Sequence, residues 1–261
     1  MNIPIISRQQ LEIINRKTLR YPLHIAEKDY FLALVMQIIS QSYLQETLVF
    51  KGGTALNHCY LEQSRFSEDL DFSSNQTPLS LADIRKIFDG IDFLTIKKDY
   101  LSGATIKIEK LQYTGPLLHP NSLKVEIDLF QNVLLPPKSM KYNNVWGLDF
   151  MVSVMDVREI CAEKIRAMSD RARYRDYYDF FLLAETHHIH LDEVITYVGK
   201  KDIRKPITKT DIRDNWIIVG AQKANEMSQV FYSRKVEDAQ IEDMIERLPF
   251  TETTSPKTAD K

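Results

Sequence analysis

The chain has 261 residues, 44% of them hydrophobic and 27% charged, with a net charge of −2 at neutral pH. That length exceeds one typical domain, and the composition excludes a disordered chain, a membrane bundle and a protein that draws nucleic acid by global charge, so any such binding needs a local basic patch. Cys59 and Cys161 lie far apart and form no Cys-x-x-Cys, so reduced, buried thiols are expected rather than a zinc site or a disulfide framework.

Charges at Arg8, Glu12, Arg16 and Lys17 interrupt the first twenty residues, and no signal peptide is expected there. Phe31 to Met36 is the longest nearby apolar run and falls far short of the ~20 residues of a membrane span, which predicts a cytoplasmic protein with no membrane partner. Residues 25–45 are apolar on most sides of a helical wheel and predict a buried helix. Thr47 to Phe50 reads as a short strand, Gly52-Gly53 breaks it, and Thr54 to Leu61 resumes helical spacing. Asp69 to Ser73 reads as a second strand, Leu81 to Phe88 as a helix, and 93–100, 104–113 and 123–130 as further strands. From Asp156 the pattern turns helical, with Asp156 and Glu159 at capping-box spacing ahead of a run through Met168. Helices are expected at about 174–187, 191–199 and 209–247, with His187, His188 and His190 at a helix end rather than in a metal site. The class is therefore α+β. A mixed sheet flanked by helices, including N-terminal ones, occupies 1–150, a helical domain occupies 151–249, and a polar, disordered tail occupies 250–261.

Asp69 and Asp71 flank Leu70 in a strand, and a side-chain period of two places both carboxylates on one face. Such a pair repels itself unless a cation intervenes, and hard oxygen donors suit Mg²⁺ (or Mn²⁺) bridging to phosphates. An Asp-x-Asp alone is most often a solvated pair. Lys51-Gly52-Gly53-Thr54 stands where a strand gives way to a helix, so its backbone N–H groups could approach a triphosphate, or it could be a plain tight turn.

Order and spacing decide between these readings. A strand, a Gly-Gly-Thr turn, a helix and a strand bearing Asp-x-Asp is the arrangement of the DNA-polymerase-β-type nucleotidyltransferase superfamily. FKGGTAL, then Tyr60, then RFSEDLDF closely resembles the AbiEii family of nucleotidyltransferase toxins, which includes the MenT-type toxins. Glu163-Lys164, Arg171 and Arg175-Asp176-Tyr177-Tyr178-Asp179 resemble that family's later motifs, so the likeness spans most of 47–185.

The resemblance implies attack by an acceptor hydroxyl on the α-phosphorus of a nucleoside triphosphate (NTP). Asp69 and Asp71 would hold the metal, and Gly52, Gly53, Thr54, Arg65 and Ser67 would contact the nucleotide. Lys164 lies beside an apolar stripe of Ile160, Cys161 and Met168 by helical spacing, and would stabilise charge on the triphosphate. Asp176 and Asp179 share a helix face. They would orient Lys164 or the nucleotide, against the blander reading of surface acids paired with Arg173 and Arg175. The superfamily's third strand carboxylate, a catalytic residue and metal ligand, best matches Glu126, with Asp128 the alternative on the same strand face. These groups are expected around one cleft, with Arg166, Arg171, Arg173, Arg175, Lys200, Lys201, Arg204 and Lys205 as a basic wall for RNA. The implied acceptor is the tRNA 3′ end, and the implied biology is a type IV-like toxin–antitoxin or abortive-infection system with a cognate antitoxin encoded nearby. A small-molecule or protein acceptor, or a non-catalytic nucleotide-binding module, is the alternative.

Overall fold

The computed structural model describes residues 3–75, 78–201 and 205–253. In chain order the elements are α1 (Arg8–Lys17), α2 (Leu23–Ser40), β1 (Leu48–Lys51), α3 (Gly52–Ala55) continued by one π-helical turn (Leu56–Tyr60), β2 (Asp69–Ser74) and α4 (Leu81–Phe88). There follow β3 (Leu94–Leu101), β4 (Thr105–Thr114), β5 (Pro120–Asp128), β6 (Lys138–Lys141) and β7 (Met151–Val154), then α5 (Val157–Asp170), α6 (Tyr174–His187) and α7 (Leu191–Val198). The last are β8 (Ile207–Thr208), α8 (Lys209–Gln229), α9 (Asp238–Glu246) and β9 (Glu252–Thr253). These belong to two compact units: 1–59 with 66–133 and 137–154, and 60–65 with 134–136 and 155–261. No described helix is long and apolar enough to cross a membrane.

The first unit is built on a seven-stranded mixed sheet in the order β3-β4-β5-β2-β1-β7-β6. β2 runs antiparallel to β1 and parallel to β5, while β1 pairs with β7 in parallel. Alternation puts Leu70, Phe72, Val125 and Ile127 on one face, where all four are buried. α2 is apolar nearly all round, as a helix covered on most sides must be. Its Phe31 ring stacks on Tyr113 at 3.9 Å, and its buried Asp29 accepts a 2.7 Å hydrogen bond from Trp146 Nε1. Glu27, on the same helix, accepts from the Leu117 backbone N–H at 2.8 Å. Those two bonds answer for the two buried acids of this helix.

The second unit packs α5 among α6, α7 and α8. The Tyr177 hydroxyl donates to the Ile212 carbonyl at 2.8 Å, and Tyr178's to those of Ser64 and Arg234 at 3.1 and 3.0 Å. α6 has no side-chain cap of its own. Glu226 of α8 accepts from the Tyr174 and Arg175 N–H groups at 2.9 and 3.0 Å and closes its N-terminus instead.

Several sequence expectations are redrawn. The helix expected over 209–247 breaks into α8 and α9, because Tyr232 bridges the Arg65 backbone and Ser233 N–H donates to the Ser64 carbonyl at 2.8 Å. Asp156 caps α5 through the Arg158 N–H, but Glu159 does not close a capping box, since its carboxylate accepts from Leu134 and Leu135 N–H at 3.0 Å each. β6 and β7 join the sheet without having been foreseen. Glu252 and Thr253, placed by composition in a tail, pair with β8, and 254–261 lie outside the described residues. His187 ends α6, with His188 in the left-handed conformation beyond it, as expected.

Candidate active site

β1 delivers the chain to Gly52, whose φ of +75° is open to glycine at little cost. A Cβ at Gly52 would lie 3.0 Å from the Asp71 Cβ and overlap its carboxylate, so the turn approaches β2 as closely as a backbone can. The buried Thr54 hydroxyl donates to the Asp69 carbonyl and fastens the turn to that strand. Asn57 Nδ2 donates to the Gly53 carbonyl at 2.8 Å where the helix widens into its π turn. Gly53 and Ser67 are half-buried, the latter on the approach to β2.

Asp69 and Asp71 share the face opposite Leu70. Asp71 stands in register with Lys51 on one side and Glu126 on the other, and Asp69 with Lys124. Lys124 Nζ lies 3.9 Å from Asp69 and 3.3 Å from Glu126, which Lys107 also meets at 3.0 Å. Burial first, then the Asp69 and Glu126 charges, push the Asp71 carboxyl up to about 6. Asp128 is two residues further along β5, opposite Ser73. Its Oδ2 meets Lys51 at 3.2 Å and its Oδ1 accepts from Phe130 and Gln131 N–H, so it closes the strand end.

The second unit holds the other predicted group as a buried charge network. Arg65, 3% exposed, donates to Asp179 through Nε and Nη2 at 2.7 Å each. Lys164 Nζ donates to Asp179 at 2.7 Å and Asp176 at 2.9 Å, and Arg171 Nε reaches Asp176 at 2.9 Å. Burial disfavours the charged form of both aspartates. Lys164 with Arg171 at Asp176, and Arg65 with Lys164 at Asp179, nevertheless hold these carboxyls below the ordinary range. Asp176 and Asp179 are therefore not surface acids, and their partners are not Arg173 or Arg175. Lys164 lies among buried Ile160, Cys161 and Met168, as its spacing predicts.

A model of the family described as "Nucleotidyl transferase AbiEii toxin, Type IV TA system" matches residues 33–257. The chain belongs to the AbiEii family. No curated protein matches its sequence. Among solved structures, MenT4, a nucleotidyltransferase toxin from Mycobacterium tuberculosis H37Rv, superposes with a TM-score of 0.59 at 18% identity, covering 91% of this chain and 98% of that one. JHP933 from Helicobacter pylori gives a TM-score of 0.54 at 17% identity over 86% and 91%. At such identities the likeness is one of fold. As an AbiEii member the chain is a nucleotidyltransferase toxin of a type IV toxin–antitoxin system.

AbiEii enzymes, like nucleotidyltransferases generally, call for a divalent cation, and the acids can be tested for one. Asp69 and Asp71 offer hard oxygens from one face, Gly52 leaves the approach to Asp71 free of a side chain, and burial, with the Asp69 and Glu126 charges behind it, disfavours a bare carboxylate at Asp71. These two fit such an ion. Among the described residues, no three His, Cys, Asp or Glu side chains converge at ligand spacing. Glu126, expected as the third ligand, meets Lys107 and Lys124.

Sequence reasoning passed over Lys107, whose place opposite Glu126 depends on strand pairing. The expected basic wall also changes. Lys201 is buried against Glu159 and Glu163, Lys205 pairs with Asp170 at 3.2 Å, and Arg204 lies outside the described residues.

Proposed function

We propose that this chain transfers a nucleoside monophosphate from an NTP to the 3′ end of tRNA, using Mg²⁺ or Mn²⁺ held by Asp69 and Asp71. The observation that carries the reading is this carboxylate pair on one strand face, with Gly52 pressed against Asp71. The acceptor oxygen bonds to the α-phosphorus as the α–β bridging bond breaks. Pyrophosphate leaves, and the hydroxyl proton passes to a carboxylate. Glu126, directly opposite Asp71, is better placed for that role than Asp128, whose oxygens close the strand end.

When bound, the cation neutralises the phosphates and favours ionisation of the attacking hydroxyl. The Gly52-Gly53 turn admits the triphosphate close to the backbone, with Ser67 beside the acids. Arg65, Lys164 and Arg171 converge on Asp176 and Asp179. An ammonium has three N–H donors, and Lys164 spends two on these aspartates. Its third serves a phosphate oxygen on this reading, and Arg65 and Asp179 hold the lysine in place. Arrest of translation would follow from blocked tRNA ends, with the antitoxin gene nearby.

The test is incubation with each α-³²P-labelled NTP, Mg²⁺ and total RNA. Label in the tRNA band, lost on chelation and in Asp69→Asn, is the expected result. Label in protein or in small molecules alone overturns the acceptor, and no label with any NTP overturns the reaction.

A further inference from the structure

The polar face of the sheet continues outward past the aspartates. Strand register carries one row of side chains across five strands. Lys51 on β1 is opposite Asp71 on β2, Asp71 opposite Glu126 on β5, Glu126 opposite Lys107 on β4, and Lys107 opposite Tyr100 on β3. Residues opposite one another in register share a face. The row therefore ends on an edge strand in a phenol ring that is 53% exposed. Lys98, which pairs with Glu109, stands two residues along the same strand with its side chain 70% exposed, and Lys124 lies one row over, opposite Asp69. Three strand spacings of about 4.8 Å place Tyr100 about 14 Å from Asp71.

We propose that this face, from Asp71 outward over β5, β4 and β3, seats the single-stranded end of the acceptor RNA, with one base stacked on Tyr100 and backbone phosphates beside Lys98, Lys107 and Lys124. The proposal rests on the RNA-acceptor reading above and adds where the acceptor lies. An exposed ring set among lysines on a polar sheet suits unpaired nucleotides. Every base has a face to stack, and the lysines meet the phosphates whatever the sequence. A protein partner would need a desolvated apolar cluster around its anchor, whereas the neighbours of Tyr100 along this row are Lys107 and Glu126. The distance suits the geometry of transfer, because nucleotides behind the reacting 3′ end must lie some way from the acids.

The experiment uses the full chain and a fluorescein-labelled single-stranded RNA of about twelve nucleotides, the upper part of the site sizes such grooves span. Tyr100→Ala should weaken binding about 5- to 100-fold, the loss of one stacked base, while Tyr100→Phe binds as wild type. Lys98→Gln should lower the salt dependence by about one released counterion. In the transfer assay Tyr100→Ala should raise KM for RNA and leave KM for NTP unchanged. Unaltered melting shows that the exposed position does not support the fold. Wild-type RNA affinity and wild-type KM in Tyr100→Ala overturn the surface and leave the transfer reading standing. RNA that binds through Tyr100 yet takes label from no NTP supports the surface and removes the transfer reading.

Discussion

Asp71 sits where its own charge is disfavoured, with Asp69 beside it, Glu126 opposite and the Gly52 backbone against its oxygen. On the proposed mechanism Asp71→Asn takes away a cation ligand while it relieves repulsion. Transfer should fall by more than about a hundredfold, since a metal supplies several kcal/mol of charge stabilisation, while the melting temperature does not drop. Wild-type turnover in this variant would leave the acid pair without a catalytic role. Gly52 allows a second, opposite test. Gly52→Ala forces a left-handed φ on alanine and drives its Cβ into Asp71, so stability should fall by about 1–2 kcal/mol from the backbone alone, read as a lower urea midpoint with unchanged slope. The acid pair was legible because a strand's period of two places its side chains without reference to the rest of the fold. The bidentate partner of Arg65 was not, since Asp179 stands 114 residues away and no local pattern names it.

At the scale of elements, a helix can depend on a side chain far from it in sequence. α6 takes its N-terminal cap from Glu226, whose two oxygens each accept a backbone N–H. Glu226→Ala leaves both donors open and removes a negative charge from the positive end of the helix. The expected cost is about 1–2 kcal/mol, measured by urea denaturation, and hydrogen exchange should quicken at the Tyr174 and Arg175 amides. Equal protection in the variant would mean that water caps the helix as well. Such dependence also marks where sequence reasoning stopped. α4, α6 and α7 were readable from apolar spacing and turn residues, because what shapes them is local. The break after Gln229 was not, because it is made by the backbone of residues 64 and 65. Four-residue β6 and β7 are too short to show a period, and Glu159 had the spacing of a cap but found stronger partners in the Leu134 and Leu135 amides.

For the molecule as a whole, acid is the condition that separates its buried pairs from ordinary surface ones. Asp176 and Asp179 have carboxyls held below the usual range by Lys164, Arg171 and Arg65. A depressed carboxyl contributes stability that is fully present above the unfolded value, about 3.9, and is lost as pH falls towards the folded one. The urea midpoint should therefore decline steeply below about pH 4, and Asp179→Asn should flatten that decline while lowering stability at pH 7. A decline of equal steepness in the variant would remove the network as its cause. The same pairing has a consequence for synthesis. Arg65 leaves the ribosome long before Asp179, and at about 5–20 residues per second the 114 intervening residues take about 6–23 s to follow. Throughout that interval the segment just ahead of β2 carries a guanidinium whose bidentate partner has not yet been translated, so a ribosome-bound fragment ending before α6 is unable to form the Arg65–Asp179 clasp. The toxin is thereby kept from assembling its lysine support until nearly seven-tenths of its message has been read.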